Sequence, residues 1–402
     1  MPEIEECLER LLEKIRRKET TISVPITECE GMILAEDIAA KMMVPPFPKS
    51  AMDGYAVRAA DIAGASRENP VVLKVAGELL AGDYEEIPYV KKTAVRVMTG
   101  SFVPDGYDAV IRQEDTDYGE TKVTVYREIA PFTNYCRTGE DIRAGETVIP
   151  ANTRLTPLHL GLLASLGVDL VCVRQPAQIA ILSTGTELTE VGSPLLPGKI
   201  YNSIAYILSA DIRRQGLSVI SMETCADEET LLTQKLLTAL EKADFVITTG
   251  AVSVGKKDVM PAVLKSVGAE ILFQRANIQP GTPTLASEIH GKMVLSLSGN
   301  PYAAIANFEV YFWAAMAKMM GNASYEPRRG KALLRSEYKK VNRGRRLIRA
   351  FCRNGEVTLP ASVHASSLIQ NLTACNCFID LEAGRAVQPG DEVRILYFKN
   401  TI

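Results

Sequence analysis

Between Gln178 and Gly321 the hydrophobic positions change rhythm again and again. "QIAILSTG" is an unbroken apolar run, as expected of a strand covered on both faces. "NSIAYILSADIRRQG" then spaces its apolar residues three and four apart, between an Asn/Ser start and a Gly stop. The alternation continues with "SVISMETC" as a strand, "DEETLLTQKLLTALEKA" as a helix, "DFVITTG" as a strand and "DVMPAVLKSVG" as a helix. "EILFQRANI" and "MVLSLSG" read as further strands, and "PYAAIANFEVYFWAAMAKMM" as one long helix. Strands alternating with helices predict an α/β domain, a mostly parallel sheet with helices on both faces.

The flanking zones differ in texture. "MPEIEECLERLLEKIRRKE" is an amphipathic helix with Ile4, Leu8, Leu11, Leu12 and Ile15 on one face. The proline-rich "VPPFPKS" (Val44–Ser50) is a stiff connector. From Ala51 to about Asp141 come short β-type runs, "VVLKVAG", "TAVRVMTG", "DAVIRQED" and "TKVTVYRE", divided by turns. "RAGETVIPANTRLTPLHLGLLASLG" passes from strand-like to helical, with Pro157 in the first turn and Gly167 at the end. From Glu326 onward "KALLRSEY", "RRLIRAFC", "EVTLP", "CFIDLE" and "DEVRILYF" predict a small β-domain.

Composition narrows the function classes. A chain of 402 residues exceeds what one core serves, so several domains are expected. The net charge of −3 argues against an extended nucleic-acid surface. The basic run "NRGRRLIRAFCR" (Asn342–Arg353) reads as the solvated face of a strand. No run approaches the ~18 apolar residues of a membrane span, and charges interrupt the N-terminal segment too often for a signal peptide. The eight cysteines form no C-x-x-C pair, which suits reduced thiols in a cytoplasmic protein. Cys375 and Cys377 would face opposite ways on a strand, which disfavours shared metal ligation. Three histidines leave little for a zinc site or a His-centred triad.

Chemistry is expected at the carboxyl ends of the parallel strands. Three loops stand out there: "STGTEL" with Glu187, "TTGAVSVGKKD" from Thr248 to Asp258, and "SLSGNP" from Ser296 to Pro301. Glycine-rich turns entering helices suit phosphate, and they are also ordinary strand–helix turns. Asp227 and Asp258 each open a helix, where an aspartate either caps or ligates. Acids gathered at an anion site make sense if Mg²⁺ bridges them to phosphate. The P-loop spacing is absent. Outside the sheet, Asp53 stands in an Asp-Gly pair, Thr99-Gly100 closes a strand, and Arg137, Glu140 and Asp141 cluster.

Taken together, "PPFPKSAMDGYAV", "VMTGSFVPDGYDAVIRQED", "RTGEDI", "LGLLASLG", "STGTEL", "TTGAVSVGKKD", "QPGTP" and "SGNP" resemble the molybdopterin molybdenumtransferase family, which includes the E domain of gephyrin. The resemblance runs along nearly the whole chain. It implies a central molybdopterin-binding α/β domain (176–324) and a β-rich inserted domain (47–141). It further implies a linking domain (21–46 and 142–175), an N-terminal helix (1–20) on the α/β domain and a C-terminal small β-barrel (325–402). It implies a homodimer whose cleft lies between the α/β domain of one subunit and the β-rich domain of the other. The implied reaction inserts molybdate into adenylated molybdopterin with Mg²⁺ and releases AMP. An adenylating enzyme and recipient molybdoenzymes are the implied protein partners.

Carried over residue by residue, the resemblance assigns catalytic roles to Asp53, Thr99, Glu187, Asp227, Asp258 and Arg275, with Glu187, Asp227 and Asp258 holding the metal. Thr249, Gly250, Ser253, Gly255, Gln279, Pro280, Gly281, Ser298, Gly299, Asn300 and Pro301 would hold the pterin nucleotide. Several positions depart from the pattern. Gln279 stands where relatives carry lysine, Thr282 where many carry a second one, and Arg275 keeps a cation nearby. Gly250-Ala251 replaces Gly-Gly, "LSGNP" replaces Leu-Pro-Gly-Asn-Pro, and "VHASSL" (Val363–Leu368) replaces a Gly-Ser-Gly-type turn. Glutamine donates a hydrogen bond but neutralises no anion. A paralogue that carries the cofactor without turnover is therefore the alternative, and tungstate the alternative oxyanion.

Overall fold

The computed structural model describes residues 1–252, 259–360 and 369–399. These residues form two compact units, one of residues 1–35, 152–156 and 170–402, the other of 36–151 and 157–169.

The first unit begins with helix α1 (Ile4–Lys14), which buries Ile4, Cys7 and Leu11. Its buried stripe runs through Cys7, and Leu12 is only half-covered. Strands Thr21–Pro25 and Leu170–Arg174 pair antiparallel. The α/β core follows, as β1 (Gln178–Thr184), α2 (Ile204–Arg214), β2 (Ser218–Cys225), α3 (Glu229–Lys242), β3 (Phe245–Thr249) and α4 (Met260–Ser266). Strands β4 (Glu270–Phe273), β5 (Leu285–Ile289) and β6 (Lys292–Leu297) complete the sheet before α5 (Pro301–Asn307) and α6 (Trp313–Met320). The strand order is β2-β1-β3-β6-β5-β4. The first four are parallel, while β5 runs antiparallel to both neighbours.

The period-2 alternation of β1 explains the three layers. Ile179 and Ile181 face a core shared with α1, α2, α5 and α6, including Leu208, Ile212, Phe308 and Trp313. Ala180 and Leu182 face the opposite side, against Leu232, Leu236 and Leu240 of α3 and Val263 and Leu264 of α4. The expected strand over "EILFQRANI" stops at Phe273, and β5 was not anticipated. Ile289 pairs with Lys292 across His290-Gly291, both at positive φ, so a His-Gly pair does what Asn-Gly usually does in a hairpin. The expected single helix from Pro301 contains a π-helical turn at Phe308–Phe312, which carries the buried Glu309.

The C-terminal region is a closed barrel of β7 (Arg329–Leu334), β8 (Arg346–Arg353), β9 (Glu356–Thr358), β10 (Cys377–Leu381) and β11 (Glu392–Tyr397). Ile348, Ala350, Ile379 and Ile395 fill its interior. Leu347, Phe378 and Leu396, one position out of phase, pack into the α/β core instead. This shared face overturns the reading of the basic run as a solvated surface. Arg345 is 8% exposed and bonds Asp380 through two nitrogens, each at 2.7 Å, while Arg349 is fully buried over the Tyr302 ring. Alternation along β8 places Arg349 on the Leu347 side, which the α/β domain covers.

The second unit is built on a five-stranded sheet with Thr93–Val97 at its centre, between Val71–Leu79 and Gly54–Val57, the latter pairing also with Ala109–Arg112. Helix Pro157–Ser165 belongs to the same unit. No helix among the described residues is long and apolar enough to cross a membrane.

Candidate functional site

Parallel pairing brings the carboxyl ends of four strands to one sheet edge. Register sets Thr184 beside Cys225, Ser183 beside Thr249, and Thr249 beside Leu297. Each of the three suspected loops therefore starts from this edge, and so does the loop that carries Asp227.

Asp227 reaches sideways instead of capping its own helix. Thr184 Oγ1 donates to its Oδ1 at 2.6 Å and the Thr186 N–H to its Oδ2 at 3.3 Å, whereas α3 starts at an N-cap, Glu228, with no side-chain cap bond. Glu187 is exposed and lines a pocket of about 60 Å³ with Thr184, Tyr201, Thr249, Gly299 and Pro301. Asn202 forms another wall. Its Oδ1 accepts the Ala205 N–H at 3.3 Å and its amide donates to Thr224 Oγ1 at 3.2 Å, which ties the start of α2 to β2.

Thr249 is 3% exposed and donates to Ser183 Oγ at 3.0 Å, so its hydroxyl serves the sheet edge. The Gly250 N–H donates to Leu297 O at 3.0 Å and is spent on the sheet. The glycine is needed for a different reason. Its φ is +94°, and a Cβ there would lie 2.1 Å from Thr184 O. Ser253, Gly255 and Asp258 lie outside the described residues, as does "VHASSL".

In the third loop Ser298 Oγ accepts the Asn300 N–H at 3.2 Å, and Pro301 is the first residue of α5. Asn300 Oδ1 is buried with no partner among the described residues, an acceptor that a ligand N–H or hydroxyl can satisfy. The "QPGTP" segment is stitched to the barrel and to α5. Gln279 donates its N–H to Arg345 O at 2.9 Å and accepts from the Leu347 N–H at 2.8 Å. Asn307 Nδ2 and Thr284 Oγ1 each donate to Gly281 O at 2.8 Å. Thr282 donates to Ile278 O at 2.7 Å and so closes the loop, with Arg275 exposed at its start and Pro280 half-buried. Tyr302, one residue past "SGNP", donates to Leu347 O at 2.5 Å and accepts the Arg349 N–H at 3.0 Å. Burial pushes its hydroxyl up to about 12, while Arg349 and Arg346 pull the other way.

Thr184, Asn202, Tyr302 and Arg349 were not singled out from sequence. Thr184 was open to discovery, because a hydroxyl at a strand end beside two acidic loops has an obvious use. The others depend on which distant strand lies alongside.

In the second unit Asp53 Oδ1 accepts both the N–H and the Oγ1 of Thr99, each at 2.7 Å, which holds its carboxyl below the usual aspartate range. Gly54 sits in a strand opposite Val97 and Arg112, so the Asp-Gly pair is not a hairpin turn. The Arg137 N–H donates to Glu140 Oε2 at 2.7 Å, beside a cavity of about 570 Å³ that Met43 and Arg143 also line. Among the described residues no cluster of three or more His, Cys, Asp and Glu side chains could hold a metal.

Comparison with known proteins matches these features in order along the chain. Residues 2–167 match the MoeA N-terminal region (domain I and II), residues 180–318 a probable molybdopterin binding domain, and residues 331–398 the MoeA C-terminal region (domain IV). The molybdopterin molybdenumtransferase of Staphylococcus epidermidis is 34% identical over 397 residues, 98% of this chain and 94% of that one. Its Bacillus subtilis counterpart is 34% identical over 404 residues, with the same shares covered. The crystal structure of a molybdopterin biosynthesis MoeA protein from Pyrococcus horikosii superposes with a TM-score of 0.85, at 28% identity and 100% coverage of both chains. With similarity of this extent across the sheet-edge loops, the β-rich unit and the barrel alike, the chain belongs to the molybdopterin molybdenumtransferase family.

Proposed function

We propose that this chain joins molybdate to adenylated molybdopterin and releases AMP, with the sheet-edge loops of the first unit holding the pterin nucleotide. The observation that carries the reading is the Thr184–Asp227 bond across two loops beside the pocket lined by Glu187 and Thr249. A carboxylate that leaves its own helix to meet a neighbouring loop is placed for a ligand. The relatives, named molybdopterin molybdenumtransferases over nearly the full chain, supply the substrate class.

The donor set here consists of hard oxygens on adjacent loops, Glu187 and Asp227 with the Thr184 hydroxyl. Such a set fits Mg²⁺, which takes one or two carboxylates and completes its shell with water and substrate phosphate. Glu187 and Asp227 would hold it, and the bound ion would neutralise charge on phosphate oxygens. The chain's own contribution is placement. Asn300 offers its free acceptor, and the Asn307 and Tyr302 bonds hold the "QPGTP" loop and strand β8 beside it.

A homodimer is part of the proposal, with Asp53 and Thr99 contributed by a second copy. Helix Pro157–Ser165 supports it, since it is almost wholly apolar, buries only Leu163, and leaves Leu158 86% exposed. The adenylating enzyme and recipient molybdoenzymes are the proposed partners.

Incubation of the protein with adenylated molybdopterin, Mg²⁺ and either molybdate or tungstate tests the reaction. AMP release above the no-oxyanion rate is expected, faster with the physiological metal. Binding of pterin without release, alongside an active relative as control, would establish the carrier reading instead.

A further inference from the structure

We propose that the second unit carries a docking groove for an extended, proline-containing segment of another protein, with an arginine of that segment held by Tyr84, Glu86 and Asp105. The groove is a cavity of about 280 Å³ that Pro88, Phe102 and Pro104 also line. All of these residues belong to the second unit, and none of them has a part in the proposed reaction.

Packing builds the groove. The loop that follows Val71–Leu79 is seated on two glycines. A Cβ at Gly77 would lie 2.6 Å from Ile87 Cδ1, and one at Gly106 would lie 2.5 Å from Tyr89 Cβ, so each glycine leaves room that a loop residue fills. Tyr89 is fixed further by its hydroxyl, which donates to Asp61 Oδ2 at 2.9 Å, and by its edge contact with the Tyr107 ring. The loop is thereby pinned at residues 87–89, while its first half stands out. There Tyr84 is 69% exposed and leans on the buried Phe102, with 4.8 Å between ring centroids. Ala81 Cβ is 3.9 Å from where a Gly100 Cβ would lie, so the same loop borders the Asp53–Thr99 pair.

Charge decides the occupant. Glu86 and Asp105 line the groove, and Asp83 and Glu85 flank Tyr84 in the chain. All four are exposed, and none forms an ion pair among the described residues. The Tyr84 hydroxyl donates to Glu86 Oε1 at 3.2 Å, and that bond, with the negative field of Glu86 and Asp105, holds it above the usual tyrosine range. Both carboxylates therefore stand near the edge of the ring. The unit as a whole carries 20 Asp and Glu against 13 Lys and Arg, a net charge of −7. An exposed ring beside two unpaired carboxylates favours arginine, whose planar guanidinium stacks on the ring while its N–H groups reach the oxygens. A floor of aromatic and proline side chains suits a polyproline-type segment, which is already extended before it binds. Nucleic acid and anionic membranes would be repelled.

The test titrates the full chain into a fluorescein-labelled peptide, Pro-Leu-Pro-Pro-Arg-Ala, and follows fluorescence anisotropy. A second peptide carries citrulline in place of arginine, which keeps the shape and removes the charge. Wild type should bind the arginine peptide about tenfold more tightly than the citrulline one. Tyr84→Ala and the double variant Glu86→Gln/Asp105→Asn should each weaken the arginine peptide about tenfold, while Tyr84→Phe keeps the ring and stays within about twofold. Glu68→Gln/Glu120→Gln removes the same charge from exposed positions elsewhere on the unit and should also stay within about twofold. Equal affinity for the two peptides, or no binding of either, would overturn the inference, and so would an unchanged constant in Tyr84→Ala. A loss in Glu68→Gln/Glu120→Gln as large as that in Glu86→Gln/Asp105→Asn would reduce the effect to overall charge and overturn it as well. Sedimentation of the protein alone checks the remaining occupant, since self-association abolished by Tyr84→Ala would mean that the groove seats a second copy of this chain and not another protein.

Discussion

Thr184 and Asp227 meet across two strand-end loops, the hydroxyl donating to the carboxylate at 2.6 Å, although 43 residues separate them in the chain. The bond fixes one carboxylate oxygen and leaves the other with a single weak donor, the Thr186 N–H at 3.3 Å. Asp227→Asn should lower AMP release by about a hundredfold, because it removes the charge that a metal–phosphate site requires. Thr184→Val keeps the charge but frees the side chain, and should cost roughly tenfold, the range typical of a residue that orients a ligating carboxylate. Neither change should shift the melting temperature by more than a few degrees. Equal activities of both variants and wild type would show the pair to be structural only.

The Gly250 backbone sets the closest approach between loops. Gly250→Ala places a methyl 2.1 Å from Thr184 O at a φ of +94°, and should destabilise the first unit by about 2–4 kcal/mol. Gly299→Ala is the control, since its Cβ would sit 3.5 Å from Gly250 Cα, an ordinary contact, and less than about 1 kcal/mol is expected. Urea unfolding followed by far-UV circular dichroism distinguishes the two.

These two residues also mark what could be read from the sequence. The unbroken apolar run through Ile179, Ala180, Ile181 and Leu182 was enough to predict a strand covered on both faces, because that pattern is local. The loops at its edge followed from strand direction. Asp227 was ambiguous because its partner belongs to another strand, and local chemistry offers every helix-opening aspartate a cap. Arg345 and Arg349 looked solvated because an arginine-rich strand carries no signal that a second domain covers it. The β5 strand was missed because His290-Gly291 is a poor turn signal until both residues are seen at positive φ. In each case the missing information was a long-range neighbour.

Glu309 predicts an unusual pH dependence of stability. Burial and nearby Asp211 push its carboxyl up to about 8, and Lys399, whose N–H Glu309 accepts at 3.0 Å, is pulled down to about 8 by burial and Arg154. Between the ordinary carboxylate range and pH 8 the unfolded chain has lost the Glu309 proton and the folded one keeps it, so stability falls as pH rises. Between pH 8 and the ordinary lysine range the unfolded chain binds the Lys399 proton and the folded one does not, so stability climbs again. The two groups together give a minimum near pH 8. Thermal melts from pH 5 to 10 should show it, and Glu309→Gln, which keeps the acceptor for the Lys399 N–H, should flatten the falling limb alone. A variant profile parallel to wild type would rule this out.

Arg345 and Asp380 lie at the junction of α1 and the barrel, 8% and 3% exposed, joined by two bonds of 2.7 Å, with Glu5 as an outer partner at 2.6 Å. Removing only the arginine leaves Asp380 charged and desolvated, so Arg345→Met should cost about 3–5 kcal/mol. Removing both charges also removes that penalty, and Arg345→Met/Asp380→Leu should regain most of the loss, because apolar side chains of similar volume replace a buried pair at little net cost. The double variant is therefore expected to be more stable than the single one, the opposite of additive behaviour. Gln279 takes its register from backbone atoms of Arg345 and Leu347, so the double variant should keep that pairing and retain AMP release. Urea midpoints and AMP release for the three proteins check both parts, and a double variant no more stable than Arg345→Met would mean that the pair contributes by its geometry and not by mutual neutralisation.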